Sequence, residues 1–233
     1  MTDRQFRASI LVLLALAALL IWLGRFTHAD LYLADRMFDF ELNAFPRRSQ
    51  WFFDDFMHHT MKAFMLAIAL VPVAALLADA FTGRRLLDSR TRGNLVVVVA
   101  SALLVPAAIS AMKAGSIHHC PWSLSRYGGF APYLRIFDDL PMGVTAGHCF
   151  PAGHASGALW LPSIATFWLP EQPGKACVAF AASLLPGFAL GLAQQARGAH
   201  FLTHTLWSVW IAVLIVVVLA RLADMISRRD KLA

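Results

Sequence analysis

The sequence predicts an all-α, polytopic membrane protein with six transmembrane helices and interfacial helices on the outer side. Hydrophobic residues occupy 58% of its 233 positions and charged residues only 15%, which is a low charge content for a soluble protein. The apolar residues are gathered in runs long enough to cross a bilayer. Because no polar stretch is long enough to bury a core of its own, residues 1–233 are expected to form a single integral membrane domain.

Hydropathy places the six spans in order along the chain. The first, Ala8–Gly24, follows Arg4 and Arg7. No small-residue cleavage site comes after it, which favours a retained anchor over a signal peptide. The five later spans are predicted at Met61–Ala80, Asn94–Met112, Ala155–Leu169, Ala176–Ala193 and Thr205–Leu222.

The stretch between the first two spans has a different composition. Residues 30–56 mix aromatic and acidic side chains, a composition typical of helices that lie in the membrane interface. Trp51, Phe52 and Phe53 are expected at headgroup depth.

Basic residues predict the orientation. Outside the N-terminal tail they cluster after the second span, between the fourth and fifth, and at the end of the chain, which makes that side cytoplasmic. The net charge of +6 is therefore a topology signal, and the expected partner is the lipid bilayer rather than nucleic acid. The residues concerned are Arg84, Arg85, Arg90, Arg92, Lys175, Arg228, Arg229 and Lys231.

The opposite side carries the residues that point to chemistry. It holds 25–60, 113–154 and the turn 197–204, and all nine histidines lie in or beside these segments. Ionisable groups close to a membrane are costly unless they have a role. A lysine, several histidines and nearby arginines at a bilayer surface are suited to binding and cleaving a phosphate ester.

Three short motifs in these segments resemble the signature of the type 2 phosphatidic acid phosphatase family, the membrane lipid phosphate phosphatases. The family pattern is Lys-x6-Arg-Pro, then Pro-Ser-Gly-His, then Ser-Arg-x5-His-x3-Asp. The chain has KAGSIHHCP, PAGH and AQQARGAHFLTH, in the same order and at matching positions relative to six spans. The matching residues are Lys113, Gly153, His154 and His200, and the departures are Cys120, Ala152, Gln194 and His204.

The resemblance and the chemistry of the side chains together assign a role to each motif residue. Lys113 and the backbone N–H groups after Gly153 are expected to bind the phosphate. His154 is the expected acid for the leaving oxygen. His200 is the expected nucleophile and His204 the expected acceptor that orients it.

Two arginines are candidates to replace the positive charge that the departures remove. Arg126 lies in the outer loop, and Arg197 lies three residues before His200. If residues 194–204 were helical, Arg197 would share a stripe with His200 and His204, whereas Gln194 would lie about 120° away from His200. We therefore expect Arg197 to bind phosphate oxygens.

The resemblance implies a lipid phosphatase of the bacterial inner membrane, with its site facing the periplasm or the cell exterior. The substrate would be a phosphate monoester or diphosphate on a lipid of the phosphatidate, polyprenyl diphosphate or lipid A type. Hydrolysis would pass through a phosphohistidine, without metal or cofactor. The sequence is also compatible with an inactive protein that binds phospholipid headgroups and with a lipid-to-lipid phosphotransferase, and it indicates no particular oligomeric state.

His-x3-His is also a zinc-binding spacing. A third ligand for His200 and His204 would come from His118, His119 or His148. No carboxylate accompanies the pair in the sequence, and the Lys and Arg content favours a bare phosphate site.

Cys120 and Cys149 both fall in the predicted outer loop. An oxidising compartment would allow them to pair, which would connect the Lys113 motif to the His154 motif. Two free thiols are equally compatible with the sequence.

Overall fold

The computed structural model describes residues 1–230, which are all-helical with no strand among them; Lys231, one of the basic residues used above, lies outside this range. A π-helical stretch, Phe52–Thr60, runs directly into the third α-helix, and short 3-10 helices occupy Pro121–Ser123, Ser125–Tyr127 and Leu161–Trp168. The α-helices are α1 (Asp3–Phe26), α2 (Ala29–Asp35), α3 (Met61–Phe81), α4 (Ser89–Ala114), α5 (Gly153–Ser156), α6 (Pro173–Ala196) and α7 (Leu202–Asp230).

Five helical segments among residues 1–230 are long and apolar enough to cross a membrane. They confirm the all-helical class and give five of the six predicted spans as candidates, with ends that differ from the prediction by up to nine residues. These segments are Asp3–Phe26, Phe52–Phe81, Ser89–Ala114, Pro173–Ala196 and Leu202–Ser227.

The predicted fourth span, Ala155–Leu169, is not a continuous α-helix. α5 ends at Ser156, four turn residues follow, and the 3-10 helix then runs to Trp168. Ala155 and Leu159 are completely buried. Backbone that departs from the α-helix is tolerated at membrane depth where protein surrounds it, so sequence hydropathy overestimated the regularity of this segment.

The same segment nevertheless extends along most of α4. At its start, a Cβ on Gly153 would lie 3.7 Å from Lys113 Nζ, near the end of α4. At its finish, the Leu169 carbonyl accepts a hydrogen bond from Arg90 Nη2 at 2.9 Å, near the start of α4. A 3-10 helix rises about 2.0 Å per residue against about 1.5 Å for an α-helix, which lets a short segment cover this distance.

Ion pairs mark two ends of the bundle. At one end, Arg221 of α7 pairs with Asp3 at the start of α1 at 2.5 Å. At the other, Arg25 in the last turn of α1 pairs with Asp138 of the loop after α4. The second end carries all three motifs, so the fold places them together as the sequence predicts.

Close packing of α5 and the 3-10 helix against α4, α6 and α7 forms the main core. Val105 and Ile109 of α4 are fully buried in it. A Cβ added to Gly187 of α6 would lie 2.4 Å from Leu159 Cδ2, so a glycine is required for this approach. The core therefore fixes the start of α5, where the second motif lies, against α4 and α6.

The predicted interfacial region, residues 30–56, is only partly helical. α2 covers Ala29–Asp35, turns follow, and the π-helical stretch belongs to the third helix. Phe38 and Phe45 pack on Tyr127 of the loop after α4, with ring centroids 5.0 and 5.3 Å from it. The segment thus forms a cap over the motif end, and Trp51 on it is exposed.

Candidate active site

The loop between α4 and α5 is closed on itself next to the motifs. Cys120 and Cys149 form a disulfide with Cα atoms 5.3 Å apart. The Cys149 N–H also donates to the His118 carbonyl at 2.9 Å, and the Gly147 N–H donates to the Ile117 carbonyl at 3.1 Å. The family's Arg position, Cys120, is therefore used here to connect the first and second motifs.

Removing this disulfide is expected to destabilise the motif end. For a sequence separation of 29 residues, the loop-entropy relation gives about 3–4 kcal/mol. Cys120→Ser should therefore lower the Tm measured in detergent, and the mass gain on reduction and alkylation should reveal the bond in the wild type. The matched control is Cys177→Ser, because Cys177 is an exposed free thiol of α6. An unchanged Tm in Cys120→Ser, or no reducible bond, would contradict this prediction.

Lys113 and Gly153 meet as the sequence predicts. Lys113 Nζ lies beside Gly153, and within residues 1–230 this ammonium forms no ion pair or hydrogen bond. α5 is only four residues long, so a helix dipole contributes less here than the predicted long helix would. The main positive charge at Gly153 comes from Lys113.

His154 lies between His200 and a histidine from another helix. Its ring centroid is 6.1 Å from that of His200 and 4.1 Å from that of His58. Burial lowers the pKa of His154 to about 3, and the neighbouring charges of His58 and Lys113 act in the same direction. His154 is therefore neutral, and its buried Nδ1 has no hydrogen-bond partner within residues 1–230.

His200 lies in the turn before α7 and is buried. Burial lowers its pKa well below the ordinary value, with further contributions from His204, His154 and Lys113, whereas a backbone hydrogen bond with Cys149 acts in the opposite direction. The ring is thus neutral at pH 7, which is the form that attacks phosphorus. Its Nδ1 also contacts the Cys149 sulfur at 3.5 Å; as part of a disulfide, that sulfur carries no proton.

His204 is the third residue of α7 and lies in its first turn. Its ring centroid is 5.8 Å from that of His200, and no direct hydrogen bond joins the two rings in the described chain. The predicted pairing of His204 with His200 is therefore not formed in this state. His204 Nδ1 is buried without a partner.

The sequence predicts that Arg197 and His200 share a helical stripe, but in the structure they do not. α6 ends at Ala196, and Gly198 adopts a positive φ of 74° that reverses the chain before α7. A side chain at Gly198 would meet the Phe45 ring at 2.5 Å, so glycine is needed for both reasons. The predicted stripe was wrong because α6 ends at Ala196, before Arg197, and α7 begins only at Leu202.

Arg197 nevertheless lies in the site. The guanidinium is buried, and its charge contributes to lowering the pKa of His154. It donates to the Asp54 carboxylate at 2.6 Å, to the Gln194 side-chain oxygen at 3.1 Å and to the Arg48 carbonyl at 3.0 Å. Three of its five N–H donors are therefore engaged, and two remain for a ligand.

Arg126, the other predicted phosphate ligand, has a different partner. Its Nε and Nη2 donate to the two oxygens of Asp35, both at 2.7 Å, and the Tyr127 hydroxyl donates to the same carboxylate at 2.9 Å. This pair raises the pKa of Arg126 and lowers that of Asp35. The contacts of Arg126 belong to the cap rather than to the histidine group.

His58 and Lys62 lie close to His154, although the sequence did not predict them at the site. His58 belongs to the π-helical stretch and contacts the His154 ring, and Lys62, one turn later, also contributes to lowering the pKa of His154. The available signal was a histidine followed by a lysine at i+4 where a span begins. The aromatic and acidic composition of the preceding residues, which is typical of an interfacial segment, obscures this signal.

Two groups in the described chain have the composition of a metal site. Cys149, His200 and His204 form one, but the Cys149 sulfur is in a disulfide and offers no thiolate. Asp54, His58 and His59 form the other. The Asp54 carboxylate is already paired with Arg197.

The three histidines considered as a third zinc ligand differ in position. His119 Nε2 lies 2.8 Å from the Thr145 carbonyl oxygen, and His148 is exposed. His118 lies nearer the pair, with its ring centroid 6.4 Å from that of His204.

Comparison with known proteins identifies the family. Neither the curated proteins nor the solved structures contain a match. The PAP2 superfamily matches residues 91–228, a range that covers more than half of the chain and includes Lys113, His154 and His200. Because this match covers more than half of the chain, the chain belongs to the PAP2 superfamily.

Proposed function

We propose that the protein hydrolyses a phosphate monoester or diphosphate carried by a membrane lipid, through a phosphohistidine on His200. Membership of the PAP2 superfamily implies phosphatase-type activity on phosphate esters. The observation that supports the mechanism is the pair His154 and His200, two neutral imidazoles with centroids 6.1 Å apart beside an unpaired lysine. A phosphoryl group between the two rings would face a nucleophile on one side and a proton donor on the other.

In the proposed first step, His200 attacks phosphorus while the bond to the leaving oxygen breaks. The electron pair of that bond goes to the oxygen, which takes a proton from His154. Water then attacks the phosphohistidine, His154 accepts one of its protons, and inorganic phosphate leaves with His200 restored. No metal or cofactor takes part in either step.

His154 requires its proton only when the substrate is present. Its pKa of about 3 in the empty site comes first from burial and then from neighbouring positive charges. A phosphate dianion placed among these groups offsets those charges and raises the pKa. The substrate itself thus converts His154 into an acid.

The phosphate oxygens would be bound by side-chain cations. Lys113 supplies a point charge, and the two remaining Arg197 donors supply directed hydrogen bonds. Lys62 adds charge from the start of α3. Gly153 allows the phosphate to approach the backbone closely.

The substrate is proposed to be a lipid because the site lies at the ends of apolar spans, within lateral reach of the bilayer. Phosphatidate, a polyprenyl diphosphate and a lipid A type phosphate all satisfy this geometry. We place the protein in the bacterial inner membrane with six crossings, the fourth made by α5 and the 3-10 helix. The basic end would be cytoplasmic and the site would face the periplasm or the cell exterior.

Topology can be tested at the tip of the loop between α4 and α5. Met142 is fully exposed, so Met142→Cys in a Cys177→Ser background is expected to react with an impermeant thiol reagent in spheroplasts. Gly129 is unsuitable for the probe, because a Cβ there would lie 2.3 Å from the Ser123 backbone. Leu86→Cys, at the basic end, should react only after lysis. The reverse labelling pattern would invert the proposed orientation.

The function is tested by measuring phosphate release from a panel of lipid phosphates by purified protein in detergent. We expect release from at least one lipid phosphate, and full activity after exhaustive treatment with EDTA. If EDTA abolished the activity and zinc restored it, the metal-free mechanism would be wrong. An acceptor lipid in the same assay detects phosphotransfer, which would use the same residues.

A non-catalytic headgroup-binding protein is the second candidate. One observation favours it. Cys120, at the family's Arg position, is in a disulfide, and His204, at the family's Asp position, makes no hydrogen bond to His200 in the described chain. This candidate predicts saturable binding of a lipid phosphate without phosphate release and without a covalent phosphoenzyme.

A further inference from the structure

Asp30 is a buried carboxylate close to the site that the proposed chemistry does not use. It belongs to α2, and only 6% of the residue is exposed. Burial raises its pKa to about 6, against the opposing effect of hydrogen bonds from Thr203 and Leu202. No lysine, arginine or histidine forms an ion pair with it in the chain as described.

The contacts of Asp30 place it next to His204. The Thr203 N–H donates to Asp30 Oδ1 at 3.0 Å, and the Thr203 hydroxyl donates to Oδ2. The carboxylate thus covers the N-terminus of α7, where free N–H groups favour an acceptor. Capping alone does not require a charge, since a neutral amide or hydroxyl oxygen would also accept.

A small cavity separates Asp30 from His204. Its volume is about 20 Å³, which is enough for one water molecule. Asp30, His118, Tyr133, Thr203 and His204 all line it, so a water inside would have several polar partners. The rest of the lining is Gly24, Leu134, Ile136, Phe150 and Trp207.

His204 has an unused hydrogen-bonding atom. The residue is 4% exposed and lines the cavity, and its Nδ1 has no hydrogen-bond partner among residues 1–230. A buried ring nitrogen without a partner is unusual and calls for a water or an ion. His204 also stands where the family pattern has its aspartate.

We propose that Asp30 is the positioning carboxylate of this site, acting on His204 through one water molecule held in the cavity. This inference rests on the proposed function. His204 Nδ1–H donates to the water, and the water donates to Asp30. The other His204 nitrogen is then left unprotonated and can accept a hydrogen bond from His200, because hydrogen bonds of a catalytic group commonly tighten only when substrate binds.

The relay itself forms and breaks no covalent bond. When His200 forms its bond to phosphorus and the leaving oxygen takes the His154 proton, the His200 ring becomes cationic. The negative charge of Asp30, transmitted through the water and His204, stabilises that cation in a low-dielectric environment. The carboxylate lost at position 204 is thereby supplied from a helix about 170 residues earlier in the chain.

Asp30→Asn tests the proposal, because asparagine keeps an oxygen acceptor for the Thr203 N–H and removes the charge. We expect kcat to fall at least about 10-fold with KM within about twofold. The matched control is Thr203→Val, which removes one hydrogen bond to Asp30 but keeps its charge, and which should retain at least half of the wild-type kcat. An equal loss in both variants would show that Asp30 only caps α7.

A second experiment, in a His204→Asp background, distinguishes a positioning role of Asp30 from a purely structural one. His204→Asp restores a carboxylate at the family's position, so adding Asp30→Asn to it should change kcat less than about twofold. The same fold-loss as in the wild type would overturn the relay. Wild-type phosphate release is the independent readout for the proposed function, so the two failures are distinguishable.

A readout that needs no turnover completes the test. With ¹⁵N-labelled histidine in the full-length protein in detergent, the His204 Nδ1 signal should move in Asp30→Asn and stay unchanged in Thr203→Val. An unchanged His204 signal in Asp30→Asn would overturn the proposal even if the protein showed no activity.

Discussion

His200→Ala is expected to lower kcat by at least about 100-fold, because it removes the proposed nucleophile and no other imidazole occupies its place in the site. The measurement is phosphate release from a lipid phosphate, together with trapping of a ³²P label that is stable in base and labile in acid. Both should disappear in the variant. Near-wild-type turnover in His200→Ala would end the phosphohistidine mechanism.

His148→Asn is the matched control for this loss. His148 is an exposed histidine of the same end of the bundle with a positive φ of 49°, and asparagine tolerates that backbone conformation. Its activity should equal that of the wild type.

A second comparison uses His154→Ala, which should regain activity on a phosphate ester with a phenolic leaving group, because such a group needs no proton. His200→Ala should not regain it.

The sequence was sufficient to predict that Lys113, His154 and His200 lie at one end of the bundle, and the reason is physical. Lys113, His154 and His200 each lie at the end of an apolar run, and the bilayer forces the ends of successive runs onto alternating sides. Contacts between these residues therefore follow from the order of the spans. The disulfide was accessible to the same reasoning, since Cys120 and Cys149 occupy one outer loop.

Other features depended on information that hydropathy does not contain. The chain reverses after α6 at Gly198, which has a positive φ and has no room for a Cβ against the ring of Phe45. The geometry of Arg197 could therefore not be read from helical periodicity. The irregular fourth segment exists because α4, α6 and α7 enclose it. His58 and Asp30 reach the site through packing across more than 90 residues of sequence.

Arg197→Ala is expected to lower kcat/KM by at least about 10-fold. Sequence periodicity suggested that Gln194 would be unimportant by comparison. The structure changes that expectation, because the Gln194 side-chain oxygen accepts from Arg197 Nη1 at 3.1 Å. Gln194→Ala should therefore cause an intermediate loss by releasing the guanidinium. Arg197→Lys should recover only part of the activity, since a lysine has no planar fork.

Arg197 also has structural contacts, so the experiment must separate binding from folding. Asp54→Asn removes the ion pair to Arg197 Nη2 and leaves the guanidinium in place, and it should preserve more activity than Arg197→Ala at a similar Tm. Arg126→Ala removes the other candidate arginine, whose fork is directed at Asp35, and it should leave kcat/KM within about twofold of the wild type. Equal losses in Arg197→Ala and Arg126→Ala would contradict a specific role of Arg197 in binding the phosphate. Lys113 and Lys62 would then supply the positive charge that phosphoryl transfer needs.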